Sequence, residues 1–336
     1  MTTAPNIRVR VGVWNYTKGD YDYYLVSYTP PGEKTIQLPP IEAKDHVNSL
    51  GEAMILLEAL TWGPGDNSHT LRLNMFELRY VTNTAPHIFV QVPGTRTLLM
   101  YDINNDYWSS TSQPPLYFGQ FNLSTPMVFD KDNLRLWVVN KTHLWCYDPL
   151  GDTWYETKIA LPQSSPIGIL CKVKDCLYYI AVLSSSLEVY EFNITEYIIT
   201  SKGTWVEVGS TSVNVADPYT VGVSDGQKFI YIIVSGTGYL LSFDTHERTW
   251  QTLKTSPTAY PVGLAYDPDN GYLWVIGRGG GIHYYIISLG RWKPFDYPLP
   301  YYPLEPGNRL VYINGKLYHV RGDGTRELII INVAGS

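Results

Sequence analysis

Charge is scarce in this chain: 17% of its 336 residues are Asp, Glu, Lys or Arg, against about 25% in an ordinary soluble domain. The net charge of -6 offers no basic face for neutralising phosphates, so nucleic acid is not an expected partner. Cysteine is also scarce. Cys146, Cys171 and Cys176 cannot build a disulfide framework. Cys171 and Cys176 flank Lys172-Val-Lys-Asp175 and could face each other across a hairpin, but free buried thiols are the expectation. No stretch approaches the ~18 consecutive apolar residues of a membrane-spanning helix. Met1 to Arg10 lacks a basic segment followed by an apolar run, so neither secretion nor membrane insertion is expected, and a cytoplasmic or virion location is left open. Without a secretory signal, the sequons at Asn15, Asn122, Asn140 and Asn193 carry little weight.

What is abundant is turn and strand chemistry, with 28 Gly, 23 Pro, 28 Tyr and 10 Trp. One phrase recurs: Tyr101-Asp102 with Trp108, Tyr147-Asp148 with Trp154, and Phe243-Asp244 with Trp250, each Asp six residues before its Trp. Weaker copies end at Trp205 and Trp292, giving Trp spacings of 46, 51, 45 and 42 residues. A period of about 40–50 residues means propeller blades or helical repeats. The segments upstream of each Trp are short and rich in β-branched and aromatic residues, as in Leu134 to Val139, Leu177 to Val182 and Phe229 to Val234. They predict strands. Turn signals such as Asp132-Asn133, Asp225-Gly226, Asn270-Gly271 and Asn314-Gly315 precede them, and Asn or Gly tolerates positive φ there.

The aromatic-Asp-x5-Trp phrase, as in Leu144-Trp-Cys-Tyr-Asp-Pro-Leu-Gly-Asp-Thr-Trp154 followed by Leu161-Pro162, resembles the third and fourth strands of a kelch repeat. The resemblance spans residues 70 to 333. It departs from the family where the Gly-Gly doublet is missing from most repeats, surviving as Gly279-Gly280-Gly281, and where the third and fifth copies lose the Asp. It implies an all-β propeller of about six four-stranded blades, with seven as the alternative. The five Trp positions would fill equivalent, largely buried places, and Asp102, Asp148 and Asp244 would hold turns. The last repeat, Arg309 to Val333, reads as three strands. A strand within Ile7 to Trp14 is expected to pair with residues 327–333 and close the ring. Residues 1–69 then comprise that closing strand and an N-terminal elaboration, with a Tyr-rich hairpin near Gly19-Asp20 and a short helix from Asn48 to Leu60. Residues 70–336 form the propeller.

Catalytic signals are weak. The seven histidines show no metal-ligand spacing, so no cofactor or metal is expected. His143 and His283, each just before the third strand of its blade, are the pair that would have to meet in the axial channel to bind one. No nucleotide-binding or hydrolase phrase occurs, and Asp130, Asp267 and Asp269 fall at turns, where carboxylates usually hold backbone. Low charge and many tyrosines point to a non-enzymatic interaction or scaffold protein, a structural subunit of a larger assembly such as a virion or phage tail, bound to other protein subunits. Tyr21, Tyr23 and Tyr24, together with Tyr301 and Tyr302 in the Pro-rich strip Tyr297 to Pro306, are the expected partner-binding residues. The competing expectation is a carbohydrate-active or lyase-type propeller enzyme with a site in the axial channel.

Overall fold

Alternation along the strands decides the architecture. In Cys176–Val182, residues Tyr178, Ile180 and Val182 join one buried cluster, while Leu177, Tyr179 and Ala181 join another. A strand apolar on both faces must lie in a sheet covered on both sides. The computed structural model describes residues 7–15, 20–28, 55–61, 87–121, 125–140, 142–149, 151–163, 168–215, 220–297, 299, 310–320 and 327–334; for 7–15, 20–28, 55–61 and 199 it describes the backbone alone.

Contacts divide the chain into two units, Met1–Thr84 and Ala85–Ser336. The expected boundary at residue 69 lies outside the described residues. In the first unit, β1 (Ile7–Asn15) lies between β2 (Asp20–Tyr28) and β3 (Ile55–Thr61), antiparallel to both. The hairpin expected near Gly19-Asp20 is present, with Asn15 opposite Asp20. One expectation is corrected. Residues 55–61 form a strand where a helix was expected, because seven residues of β1 supply a pairing edge that outweighs the helix propensity of Leu, Glu and Ala. That pairing also occupies the second edge of β1.

The second unit is a six-bladed β-propeller of antiparallel sheets. Blade 1 comprises β4 (His87–Gln91), β5 (Leu98–Asp102) and β6 (Tyr107–Ser110). Blade 2 comprises β7 (Met127–Asp130), β8 (Arg135–Asn140), β9 (His143–Asp148) and β10 (Thr153–Ala160). Blade 3 holds β11 (Gly168–Val173), β12 (Cys176–Val182), β13 (Ser186–Asn193) and β14 (Val206–Ser212), with α1 (Ile194–Thr200) between its last two strands. Blade 4 is β15 (Val221–Ser224), β16 (Phe229–Ile233), β17 (Leu240–Asp244) and β18 (Thr249–Thr252). Blade 5 is β19 (Pro261–Asp267), β20 (Tyr272–Gly277), β21 (Ile282–Ile286) and β22 (Arg291–Phe295), and blade 6 is β23 (Leu310–Ile313), β24 (Lys316–Val320) and β25 (Leu328–Asn332). Among the described residues blade 1 lacks its innermost strand and blade 6 its outermost.

Successive inner strands β7, β11, β15, β19 and β23 adjoin one another. Glycine sets how closely: a Cβ on Gly263 would stand 2.7 Å from the Leu310 Cβ, and one on Gly222 would stand 2.9 Å from the Ile169 Cγ2. One buried cluster fills each joint between neighbouring blades. Blades 6 and 1 meet through Tyr318, Ile88 and Tyr101, with Ile313, Leu328 and Trp108 packed against them. Among the described residues, side-chain packing joins the last blade to the first.

Candidate interaction surface

Each blade has two ends. The turns joining its first strand to its second and its third to its fourth form one face of the disc. The second-to-third loops and the chain passing to the next blade form the other, here called the connection face.

On the turn face the repeated phrase holds structure. Across the β5–β6, β9–β10, β17–β18 and β21–β22 pairs, Tyr101, Tyr147, Phe243 and Tyr285 stand directly opposite Trp108, Trp154, Trp250 and Trp292. Their ring centroids are 5.0, 5.0, 5.0 and 5.1 Å apart. Trp205 reaches Phe192 at 5.2 Å, so all five tryptophans take the expected position. Their expected burial is corrected: Trp154 is buried, while the others, near the outer edge, are half-buried. The residue two before Trp108, Trp154, Trp250 and Trp292 is left-handed in every case: Asp106 (φ 49°), Asp152 (46°), Arg248 (56°) and Gly290 (62°).

Asp102 Oδ1 accepts the N–H groups of Asn104 and Asn105, Asp244 Oδ1 those of His246 and Glu247, and Asp148 Oδ1 that of Gly151. These are Asx turns. Blade 3 replaces the Asp with Asn193, whose side chain accepts the Glu196 N–H at 2.8 Å and caps α1. Asp152 ties blade 2 to blade 1. Burial works to raise its carboxyl, but the Ser112 N–H at 2.7 Å and the Tyr147 hydroxyl at 2.6 Å outweigh burial and hold it below the ordinary carboxylate range.

A second repeat passes unnoticed in a search for tryptophans spaced by a blade. Asp130-Lys-Asp-Asn-Leu-Arg-Leu-Trp-Val138 and Asp267-Pro-Asp-Asn-Gly-Tyr-Leu-Trp-Val275 share Asp, Asp, Asn, Leu, Trp and Val at matching places. Asp130 and Asp267 are wholly buried at the ends of β7 and β19. Each accepts two turn N–H groups, the Nδ2 of Asn133 or Asn270, and the indole N–H of Trp137 or Trp274. Lys172 of the next blade pairs with Asp130 at 3.2 Å and also with Asp132. These carboxylates are committed to holding turns.

The connection face has different chemistry. Its described loops hold few charges, namely Arg96, Lys254, Arg278, Asp296 and Glu327, and are otherwise Ser, Thr, Gly, Pro and apolar residues. The turn face pairs Asp or Glu with Lys or Arg in several of its described turns, such as Lys131-Asp132, Lys174-Asp175 and Glu247-Arg248. The chain crossing from blade 1 to blade 2 forms a raised knuckle on the connection face, a 3-10 turn at Leu116–Phe118. Phe118 is its root, packed at 5.1 Å on Phe121 and on Trp145 and at 5.4 Å on Trp154. Backbone bonds between Gly94 and Phe121 and between Phe121 and Thr95, the Arg96 guanidinium on Pro114 O, and the Asn140 amide on Phe118 O fix its base. Leu116 and Tyr117 then project at 80% and 70% exposure, with Tyr239 and Tyr260 also exposed on this face. Other exposed apolar residues, including Tyr107, Ile198 and Leu289, sit at the turn end.

His143 opens β9 and its Nδ1 lies 2.8 Å from Thr142 Oγ1. His283 lies on β21, three blades further round, and burial lowers the pKa of its ring. Among the described residues no three His, Cys, Asp or Glu side chains come together as a metal site. Cys146, Cys171 and Cys176 are free thiols; burial pushes Cys146 and Cys171 up to about 12, which leaves them unreactive. In the β11–β12 hairpin Cys176 lies opposite Val173, and Cys171 opposite Tyr178. Tyr21, Tyr23 and Tyr24 lie on β2, whose side chains are outside the described residues, as are Tyr301 and Tyr302. Of the described residues, the knuckle is what sequence reasoning missed, and its uncharged run Thr111 to Phe121 between two blades was the available signal.

No protein-family model matches this sequence, and no curated protein matches it. Among solved structures it is similar to a chain in the "Crystal structure of Nidogen/Laminin Complex", with a TM-score of 0.54 at 12% identity, covering 74% of this chain and 89% of that one. It is also similar to a chain in the "Crystal Structure of Mitotic Checkpoint Complex", with a TM-score of 0.45 at 12% identity, covering 79% and 85%. The first likeness shows that the described blades belong to the β-propeller fold.

Proposed function

We propose that this propeller is a non-catalytic protein-interaction module, a stable subunit of a larger assembly that meets its partners through the connection face. One observation carries the reading: the Leu116–Tyr117 knuckle, rooted by Phe118, rises from a surface whose described loops carry few charges and two exposed tyrosines. Interface centres are depleted in charge and enriched in tyrosine, and a few preorganised anchors supply most of their binding energy. A propeller solved in a nidogen and laminin complex offers a precedent at the level of fold. The kelch-like reading rests on the aromatic-Asp-x5-Trp phrase in blades 1, 2 and 4. A virion or phage-tail setting rests on low charge and abundant tyrosine.

The test is sedimentation of the purified protein with fractionated extract of its source, repeated with Leu116→Ser and Tyr117→Ser together. Both side chains are exposed, so the variant is expected to keep its melting temperature while losing at least about tenfold in affinity, the worth of 1.4 kcal/mol. A monomer that binds no macromolecule yet turns over a small sugar would contradict the reading.

A further inference from the structure

The knuckle is steadied from outside itself. Ser112, four residues after Trp108, is bound three times by the β9–β10 turn of the next blade. Its N–H donates to Asp152 Oδ1 at 2.7 Å, its hydroxyl donates to Asp152 O at 2.6 Å, and its carbonyl accepts the Trp154 indole N–H at 2.8 Å. The same Oδ1 accepts the Tyr147 hydroxyl at 2.6 Å, which holds the carboxylate from the preceding strand. Among the described residues no other joint between blades has this full set. Lys254, four residues after Trp250, accepts the Trp292 indole N–H at 3.3 Å, but Gly290 stands where blade 2 has Asp152 and offers no side-chain acceptor. On either side of blade 3 the indole bond is missing too: Trp205 Nε1 and Trp250 Nε1 are buried and make no hydrogen bond. Gln113-Pro114-Pro115 joins Ser112 to the knuckle. Proline fixes its own φ and restricts the residue before it, so this link has few conformations and passes the placing of Ser112 on to Leu116. Pro115 is extended at φ −53° and ψ 157°, and the Arg96 guanidinium holds Pro114 O at 2.8 Å.

We propose that Asp152, in a turn outside the interaction surface, is a positioning residue for the knuckle. Its carboxylate fixes Ser112, and the proline strut turns that fixed point into one stance of Leu116 and Tyr117. The proposal rests on the reading of the knuckle as a partner anchor. An exposed anchor already held in its bound stance loses less freedom on binding, and so binds more tightly. With the carboxylate removed, Phe118 still roots the knuckle, but Leu116 and Tyr117 bind from a wider range of stances.

The experiment uses the full chain and two variants. Asp152→Gly removes the carboxylate without strain, because residue 152 is left-handed at φ 46°, as Gly290 is at 62°. Asp152→Asn keeps the acceptor oxygen and suits the same conformation. The Phe118 and Gly119 N–H groups, which close the 3-10 turn onto Pro115 O and Leu116 O, report on the knuckle. In the free chain their amide exchange is expected to speed up at least about threefold in Asp152→Gly, through easier local opening, and to match the parent in Asp152→Asn. Sedimentation with the fractionated extract should show affinity reduced at least about threefold in Asp152→Gly and restored in Asp152→Asn. Unchanged exchange in Asp152→Gly overturns the proposal, as does equal acceleration in Asp152→Asn. Faster exchange with unchanged affinity, where Leu116→Ser with Tyr117→Ser still lowers affinity, also overturns it and leaves the proposed function standing. Unchanged affinity in all these variants overturns the anchor reading itself, and the positioning role with it.

Discussion

Replacing Trp274 with alanine is expected to lower the unfolding free energy by about 3–5 kcal/mol, a large share of the ~5–15 kcal/mol that holds a typical protein folded. Trp274 is wholly buried in the joint between blades 5 and 6, with Tyr284 at 4.8 Å, Phe295 at 5.2 Å and Tyr272 at 6.4 Å. Truncation leaves a cavity in a wall made of large rings, which cannot collapse to fill it. Trp137, its repeat partner between blades 2 and 3, is expected to behave the same way. Trp250→Ala should cost clearly less, because that indole is half-buried at the outer edge. The check is the urea midpoint of each variant at unchanged slope. A Trp250→Ala loss as large as that of Trp274→Ala would place the structural weight on the outer strands, contrary to the packing described.

The second large effect is expected at Asp267. Its carboxylate is wholly buried and accepts the N–H groups of Asp269 and Asn270, the Asn270 Nδ2 and the Trp274 indole. Asp267→Ala strands these donors, and leaving buried donors unsatisfied should cost about 2–4 kcal/mol. Asp267→Asn keeps one acceptor oxygen and should lose less. Asp102 closes an Asx turn between β5 and β6 but is half-buried rather than wholly buried, so its alanine variant should lose less than Asp267→Ala. Thermal midpoints of the three variants test this order; equal losses at Asp102 and Asp267 would mean that burial adds nothing to the turn.

The repeat was legible because its signals are local. An Asp that accepts the next N–H groups and a Trp facing its own third strand are fixed within a few residues, so the phrase survives at Trp108, Trp154 and Trp250. Blade 3 stretches the spacing to 51 residues because α1 is inserted between Phe192 and Trp205. Its start was readable: Asn193-Ile-Thr-Glu196 places a capping side chain three residues before a glutamate. Leu134 shows another limit. It adopts φ 51° where the twin turn has Gly271 at 67°, because the Asp130 and Asn133 side-chain bonds impose the turn on a residue that disfavours it. Least legible was the pairing of β1, since an alternating strand carries no label for its partner. The exposure of Leu116 and Tyr117 was equally hidden, because it depends on Phe118 turning inward onto Trp145 and Trp154.

The central claim is that protein partners cover the connection face, and hydrogen exchange measures this most directly. Exchange should be compared between the free chain and the assembly isolated from its source. The account predicts slowed exchange in residues 111–121, 234–239 and 253–260, with the turns at 131–134, 225–228 and 268–271 unchanged. Protection confined to those turns, or no difference at either face, would contradict it.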